Sequence, residues 1–401
     1  MKIAYMLTTY PCPSETFIEG EIQTLRKLGF EITIFAASSS MMPDMSIITR
    51  DVCYKPKFFS KEVFKSIFFL MTNFPLSSLR FISIFFRFLI SCHSDAMLLA
   101  RNIHTICFFA HQIQKFNITH IHSCFLSWPA CVSLAVSKIV KKPFSTAAHA
   151  RDVYVESGAM KLKLSCVKFL VCCSNQSLDF IKNKVPFQYY KKMYLNYHGI
   201  NDKVLSTKSN KIRNEPFFTI LGVGRLVEKK GFSNLVKAFA DISNNTSQYR
   251  LLVVGDGPEW RNLKKLAEKL NIQKNCNFIG WLDHCRTLEL IKRANVLVVP
   301  SIIDNDGDRD GIPNVILEAF SLQTPVIASA LDGISEVVKN EETGLLVEPG
   351  NTDQLKYAIE RICYDKVLSS NIVNNAFLVA NRDFNSINNC RRLKTIFEYV
   401  S

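Results

Sequence analysis

Carboxylates crowd one short stretch of this 401-residue chain: Asp304, Asp306, Asp308 and Asp310 alternate along IIDNDGDRDGIPNVILEA, and Glu318 closes the run. Acids at this density either ligate a divalent cation or accept hydrogen bonds from hydroxyls, because an ionised carboxylate offers two acceptor oxygens and no donor. A calcium loop starting at Asp306 would need its bidentate acid at the twelfth position, where Leu317 stands, with Glu318 one place too late. Pro313 suits the first position of a helix, where a missing N–H costs nothing, so a helix is expected over residues 313–322. Asn314 and Glu318 then share one face of that helix at i, i+4. The free N–H groups of its first turn, around Gly311, Asn314 and Val315, carry partial positive charge that suits a phosphate. One hydroxyl-rich, phosphate-bearing molecule could touch all of these groups.

Cations that could meet such a phosphate stand in GRLVEKKG, residues 224–231, where Arg225 offers a planar fork of donors and Lys230 a point charge. A lysine in a helix-initiating turn is often only solvated. In the first half of the chain, His149 follows a strand-like run and opens H-A-R-D, with Asp152 three residues on. A histidine just past a strand's carboxyl end sits where open α/β sheets place ligand groups. His122 falls inside a strand-like run and reads as structural. Near the start, Ser14, Glu15 and Thr16 form a polar loop before a helix, another ligand-binding position in such sheets, although Ser14 serves equally well as a plain N-cap.

The elements that must carry these residues alternate strand and helix. Strands are expected at residues 3–7, 31–36, 119–124, 144–148 and 167–173, and a helix over 15–28 is capped by Ser14 and stopped by Gly29. Residues 203–217 are polar, without apolar periodicity, and read as a linker. Beyond it come strands at 218–223, 251–254, 277–279, 296–299 and 325–329, with helices to residue 242, over 286–293, over 353–362 and over 386–400. Gly255-x-Gly257 and Gly222-x-Gly224 lack the third glycine of a dinucleotide fingerprint, so neither supports NAD.

Composition bounds the rest. The chain is 48% hydrophobic and 21% charged, long enough for two α/β domains. Thirteen cysteines without a C-x-x-C pair read as reduced thiols used as small hydrophobes, not as a disulfide framework or a zinc site. The N-terminus lacks a signal-peptide core and reads as the first strand. Residues 1–205 carry 24 basic and 12 acidic side chains, against 25 and 23 in residues 206–401, so the first half holds most of the net +14. That half should meet something anionic, and no zinc-finger spacing, RNP-like motif or dense basic helix points to nucleic acid. Within it, residues 57–92 are rich in phenylalanine and interrupted by Lys57, Lys61, Lys65, Arg80 and Arg87. Their longest uncharged piece, residues 66–79, is 14 residues with Pro75 inside, too short to span a bilayer, which takes about 20. They read either as two basic helices on a membrane surface or as helices whose phenylalanines pack on the core.

Taken in order, SETFI near the start, HARD at His149, GRLVEKKG, VVGDGP at Val253, DGIPNVILEA at Asp310 and TGLLVEPG at Thr343 resemble the family 4 glycosyltransferases, with the SETFI and HARD forms most like those of colanic-acid or amylovoran type. The resemblance covers almost the whole chain. It implies the α/β GT-B fold: an acceptor-binding Rossmann-like domain over residues 1–205, a nucleotide-sugar-binding one facing it over 206–380, a cleft between them, and a C-terminal helix over 381–401 crossing back to the first. Two departures stand out. The family usually has Glu-x7-Glu where this chain has Asp310-x7-Glu318, and often His-Gly-x-Asp where this chain has Ala150.

The resemblance also implies a reaction. A sugar would pass from a UDP- or GDP-sugar, with retention at the anomeric carbon, to a glycan acceptor linked to undecaprenyl diphosphate, in the synthesis of bacterial surface polysaccharide. Arg225 and Lys230 would neutralise the leaving diphosphate, and Glu318 would bind the ribose hydroxyls. Asp310 and the N–H groups near Gly311, Asn314 and Val315 would orient sugar and phosphates. His149 would line the sugar pocket, with Ser14, Glu15, Thr16 and Asp152 on the acceptor side. No cofactor and no metal are expected, Arg225 and Lys230 taking the cation's place. The enzyme would be cytoplasmic and peripheral at the inner face of the plasma membrane. Two alternatives remain open: an inactive sugar-nucleotide-binding protein on this scaffold, and a phosphorylase- or synthase-like enzyme with a soluble acceptor.

Overall fold

The computed structural model describes residues 1–12, 15–40, 52–156, 158–200, 217–243 and 248–400. The chain forms two compact units, one of residues 1–197 with 387–401 and one of residues 198–386. The expected linker at 203–217 lies almost wholly outside the described residues, as does Ser14.

In the first unit the described strands are β1 (Lys2–Thr9), β2 (Glu31–Ser38), β3 (Val52–Tyr54), β4 (His120–Ser123), β5 (Phe144–Ala148), β6 (Leu170–Cys172) and β7 (Met193–Leu195). They pair in parallel in the order β3-β2-β1-β4-β5-β6-β7. Strand β1 is central, and Ile3, Ala4, Tyr5, Met6 and Leu7 are all fully buried, as expected where helices cover both faces of a parallel sheet. The helix Ser386–Val400 packs on this unit, with Phe397 fully buried against Phe30 and Phe169. His120 and His122 point into the same core. His120 Nε2 and His122 Nδ1 lie 2.7 and 2.8 Å from one hydroxyl, that of Ser145, and burial lowers both pKa values to about 3. The structural reading of His122 fits this environment.

The second unit repeats the plan with β8 (Phe218–Val223), β9 (Tyr249–Val254), β10 (Cys276–Gly280), β11 (Val296–Val299), β12 (Val326–Ser329) and β13 (Leu345–Val347), ordered β10-β9-β8-β11-β12-β13 and all parallel. Strand order reverses beside β1 and again beside β8, so the loops at the carboxyl ends of these strands are where such folds place ligands. Three local expectations change. The first helix runs Thr16–Lys27, with Glu15 and not Ser14 at its N-cap position. Pro313, expected to be the first helical residue, is instead the N-cap of Asn314–Ser321, because its ψ of 127° is extended. The stretch between the strand expected at 325–329 and the helix expected over 353–362 holds a short helix, Asp332–Val337.

The stretch 57–92 forms two helices, Lys61–Asn73 and Ser77–Ser91, bent by 105° at the break around Pro75. The two faces of these helices differ. Leu70, Ile84 and Phe88 pack into the core of the first unit. Phe59, Phe64, Phe68, Met71, Phe86 and Ile90 stay exposed, from 55 to 86%. Among the described residues no single helix is long and apolar enough to cross a membrane.

Candidate active site

Two loops of the second unit, far apart in sequence, are locked together by close backbone approach. Gly231 ends the GRLVEKKG turn at φ +62°, and a Cβ placed there would lie 1.9 Å from the carbonyl oxygen of Pro300, at the end of β11. Only glycine tolerates both conditions. Beside it, the N–H of Ile302 donates to Lys229 O at 2.8 Å. Gly255 serves a similar contact: its Cβ would fall 1.8 Å from Gly224 O. The Gly-x-Gly pair at 255–257 therefore packs loop on loop and has no part in a dinucleotide fingerprint.

This docking brings two lysines onto the acidic run. Lys229, itself buried, places Nζ 3.0 Å from both oxygens of Asp308 and 3.8 Å from Asp310 Oδ1. Lys230 Nζ donates to Asp310 Oδ2 at 2.8 Å, and Ser301 Oγ donates to the same oxygen at 2.6 Å. Burial by itself would raise the Asp310 carboxyl. The charges of Lys230 and Lys229, with the hydrogen bonds from Lys230 and Ser301, outweigh burial and leave it below the ordinary aspartate value. The remaining acids turn to their own backbone: Asp306 accepts from Asp308 N at 2.8 Å and Asp304 from Asn305 N at 2.7 Å. In the alternating run, Asp308 and Asp310 are thus neutralised by the two lysines, and Asp304 and Asp306 accept from backbone.

Arg225, in the same turn, is exposed, and its guanidinium makes no hydrogen bond or ion pair with the described residues. Asp310, which holds the ammonium of Lys230, precedes the helix Asn314–Ser321 by a few residues, and Gly311, Asn314 and Val315 at that helix start are partly exposed. One turn further in, Glu318 is 8% exposed. Its Oε1 lies 2.9 Å from His284 Nε2, at the first turn of the helix His284–Arg293. The arrangement offers a free guanidinium, a held ammonium and a helix N-terminus, which suit a diphosphate, next to a buried carboxylate that suits vicinal hydroxyls. His284 and Ser301 carry no motif, and for Lys229 and Asp308, which do lie in motifs, the sequence did not show the pairing, because partnership depends on which loops the fold brings together.

The first unit carries His149 at the carboxyl end of β5, as N-cap of the helix Ala150–Tyr154. Its ring packs between Phe125 and Phe17, at centroid distances of 4.7 and 5.4 Å. Asp152, expected on the acceptor side, is 3% exposed, and its Oδ2 accepts from the N–H groups of Leu126, at 3.0 Å, and His149, at 3.4 Å. Its carboxylate therefore holds the His149 turn to the β4 loop. The buried ammonium of Lys163 fixes the same loop from the other side, donating to Leu126 O at 2.8 Å while paired with Asp95 at 3.0 Å. Of the other acceptor-side residues, Thr16 is exposed at the start of the first helix and Glu15 is its cap.

Two parallel Rossmann-like units with strand orders 3-2-1-4 and the equivalent 10-9-8-11 define a protein of the GT-B class. Residues 206–379 match the model for Glycosyl transferases group 1. An uncharacterized glycosyltransferase of Methanocaldococcus jannaschii is 32% identical over 157 residues, 39% of this chain and 38% of the relative. The putative colanic acid biosynthesis glycosyltransferase WcaL of Salmonella typhimurium is 27% identical over 184 residues, 45% of each. The chain thus matches about two fifths of the length of these curated relatives. Among solved structures, HepE of Anabaena in complex with UDP superposes over 100% of both chains with a TM-score of 0.73 at 16% identity, and it has also been solved with UDP-glucose. At that identity the likeness concerns the fold.

Proposed function

We propose that this protein is a retaining glycosyltransferase that moves a sugar from a UDP- or GDP-sugar to a lipid-linked glycan in surface polysaccharide synthesis. The observation that carries the reading is the lysine pinned at 2.8 Å by Asp310 just before a helix N-terminus, with Arg225 exposed in the same turn. As the glycosidic bond to the donor breaks, negative charge builds on the leaving diphosphate. Cations already fixed in place stabilise it without reorganising. An ammonium has three donors, and Asp310 takes one, so Asp310 orients Lys230 and leaves N–H groups for phosphate. In this reading Lys230 and Arg225 take the part of a metal, Glu318 binds ribose, and His149 lines the sugar site. With no carboxylate assigned as covalent nucleophile, the departing phosphate oxygen takes the acceptor's proton in a front-face displacement. The UDP and UDP-glucose complexes of HepE support a nucleotide-sugar donor, and WcaL supports a polysaccharide product.

The exposed aromatic face of the helices Lys61–Asn73 and Ser77–Ser91 supports a membrane-held acceptor. Lys57, Lys61, Lys65 and Arg87 stand exposed among its apolar side chains, the combination that lies on an anionic leaflet with the rings in the headgroup boundary. The reaction is tested by incubating the protein with a panel of UDP- and GDP-sugars and undecaprenyl-diphosphate-linked glycans. Transfer from one donor with the α- or β-configuration kept supports the proposal. Binding without turnover for every donor and acceptor would overturn it.

A further inference from the structure

His284 is one of the groups that the sequence motifs did not mark, and it makes the hydrogen bond closest to the expected nucleoside site. It stands first in the helix His284–Arg293, whose N-cap Asp283 accepts from Arg286 N at 2.9 Å. Thr287 Oγ1 donates to Asp283 O at 2.8 Å and locks the same turn. The far end of this helix is tied to the end of Asn314–Ser321, since Thr324 Oγ1 donates to Ile291 O at 2.7 Å. Both ends of the pair of helices are therefore fixed, and the 2.9 Å contact between His284 Nε2 and Glu318 Oε1 joins two held supports. Glu318 is almost buried, whereas the His284 side chain is 42% exposed and open to solvent protons. Among the described residues the second oxygen of Glu318 has no partner.

We infer that His284 is a positioning residue for the ribose-binding carboxylate: by donating to Oε1 it fixes the plane of Glu318 and leaves Oε2 to read the nucleoside hydroxyls. The inference rests on the assignment of Glu318 to ribose. A carboxylate free to rotate in this nearly buried place would spend part of the binding energy on ordering, and one with both oxygens unpaired would be costly to keep ionised. The charged groups acting on the imidazole are Glu318, from the facing helix, and Asp283, from its own N-cap. The hydrogen bond to Glu318 and the charges of Glu318 and Asp283 outweigh burial and raise the imidazole above its ordinary value. The imidazole therefore holds its proton to higher pH than an ordinary histidine and gives it up as pH rises through that raised pKa. A nucleoside diphosphate, itself an anion, then meets one positive charge fewer.

The test measures calorimetric binding of UDP and GDP, and of the 2′-deoxy form of whichever binds, from pH 6 to 9. Wild-type protein should prefer the ribonucleotide about tenfold or more, the worth of one hydrogen bond to a charged group, and should bind more weakly toward pH 9. His284→Ala should bring the ribose preference down several-fold at every pH. His284→Gln keeps a donor that does not titrate, so it should retain most of the preference and lose the pH dependence. If His284→Ala keeps the wild-type preference, or His284→Gln the wild-type pH profile, the inference is overturned while the ribose assignment stands. If wild-type protein binds ribo- and deoxyribonucleotide equally, or binds neither UDP nor GDP, the ribose assignment itself fails.

Discussion

Lys230 and Asp310, eighty positions apart, meet at 2.8 Å between Nζ and Oδ2, and Ser301 donates to the same carboxylate oxygen. The site's expected cation is therefore held before any ligand arrives. Asp310 is the position at which this chain has one methylene less than the usual glutamate, and here its carboxylate faces the lysine turn. A shorter acid suits a partner brought close by the Gly231 contact with Pro300.

Lys230→Ala should lower kcat/KM by roughly 100-fold or more, the effect of removing one preorganised donor from developing charge. Near-normal turnover would remove the lysine from the mechanism. Asp310→Asn should cost stability as well, about 3 kcal/mol, since it leaves the Lys230 ammonium facing a neutral partner in a nearly closed site. The Asp310 pKa is lowered on folding. Its contribution is therefore present above the unfolded value near pH 4 and is lost as pH falls below that. Urea unfolding at pH 7 and at pH 3.5 should show a difference between wild type and Asp310→Asn that shrinks in acid.

The second pair, Lys229 with Asp308, lends itself to a double-mutant cycle. Their side chains are 11 and 5% exposed. Lys229→Met alone should destabilise by about 3 kcal/mol because Asp308 is left as an uncompensated buried charge. Lys229→Met with Asp308→Leu should recover most of that loss, and equilibrium unfolding of the four proteins would show it. Additive losses would mean that the two side chains do not act as a pair.

Acid should weaken the first unit for a separate reason. His120 and His122 titrate near pH 3 when folded, against about 6.5 when unfolded. Because the unfolded chain takes up the protons first, the stability from keeping the rings neutral is complete above about pH 6.5 and declines below it. The slope is about 1.4 kcal/mol per pH unit for each histidine. Stability measured at pH 7, 5.5 and 4.5 should fall less steeply in His122→Phe, whose ring fits among Tyr5, Phe169 and Phe397.

Phe59, Phe68 and Ile90 are 82, 70 and 86% exposed. Replacing all three by serine should leave thermal unfolding almost unchanged, since little of their surface is buried. It should also sharply reduce sedimentation with phosphatidylglycerol-containing vesicles, each side chain contributing roughly 1.5–3 kcal/mol if it inserts. Equal, weak sedimentation of wild type with anionic and neutral vesicles would remove the membrane reading.

The sequence by itself determined the alternation of strands and helices, because short, β-branched apolar runs such as Val296–Val299 suit strands covered on both faces. It marked the glycines and the charged loops of the motifs, and Ser386–Val400 stands as a helix where its periodicity put it. Local signals located helix ends only to within a residue or two, since Pro313 fits a cap as well as a first turn and Glu15 took the place of Ser14. Partnership lay beyond the sequence. Nothing local assigns Lys229 to Asp308, Lys230 to Asp310, or His284 to Glu318, as each pairing depends on which loops the parallel sheet brings side by side. The tertiary structure turned a run of alternating acids, which on composition could have held a cation, into a loop neutralised by two lysines. It also split the helices of 57–92 between a buried face and an exposed one, because a helix can pack only one side against a core.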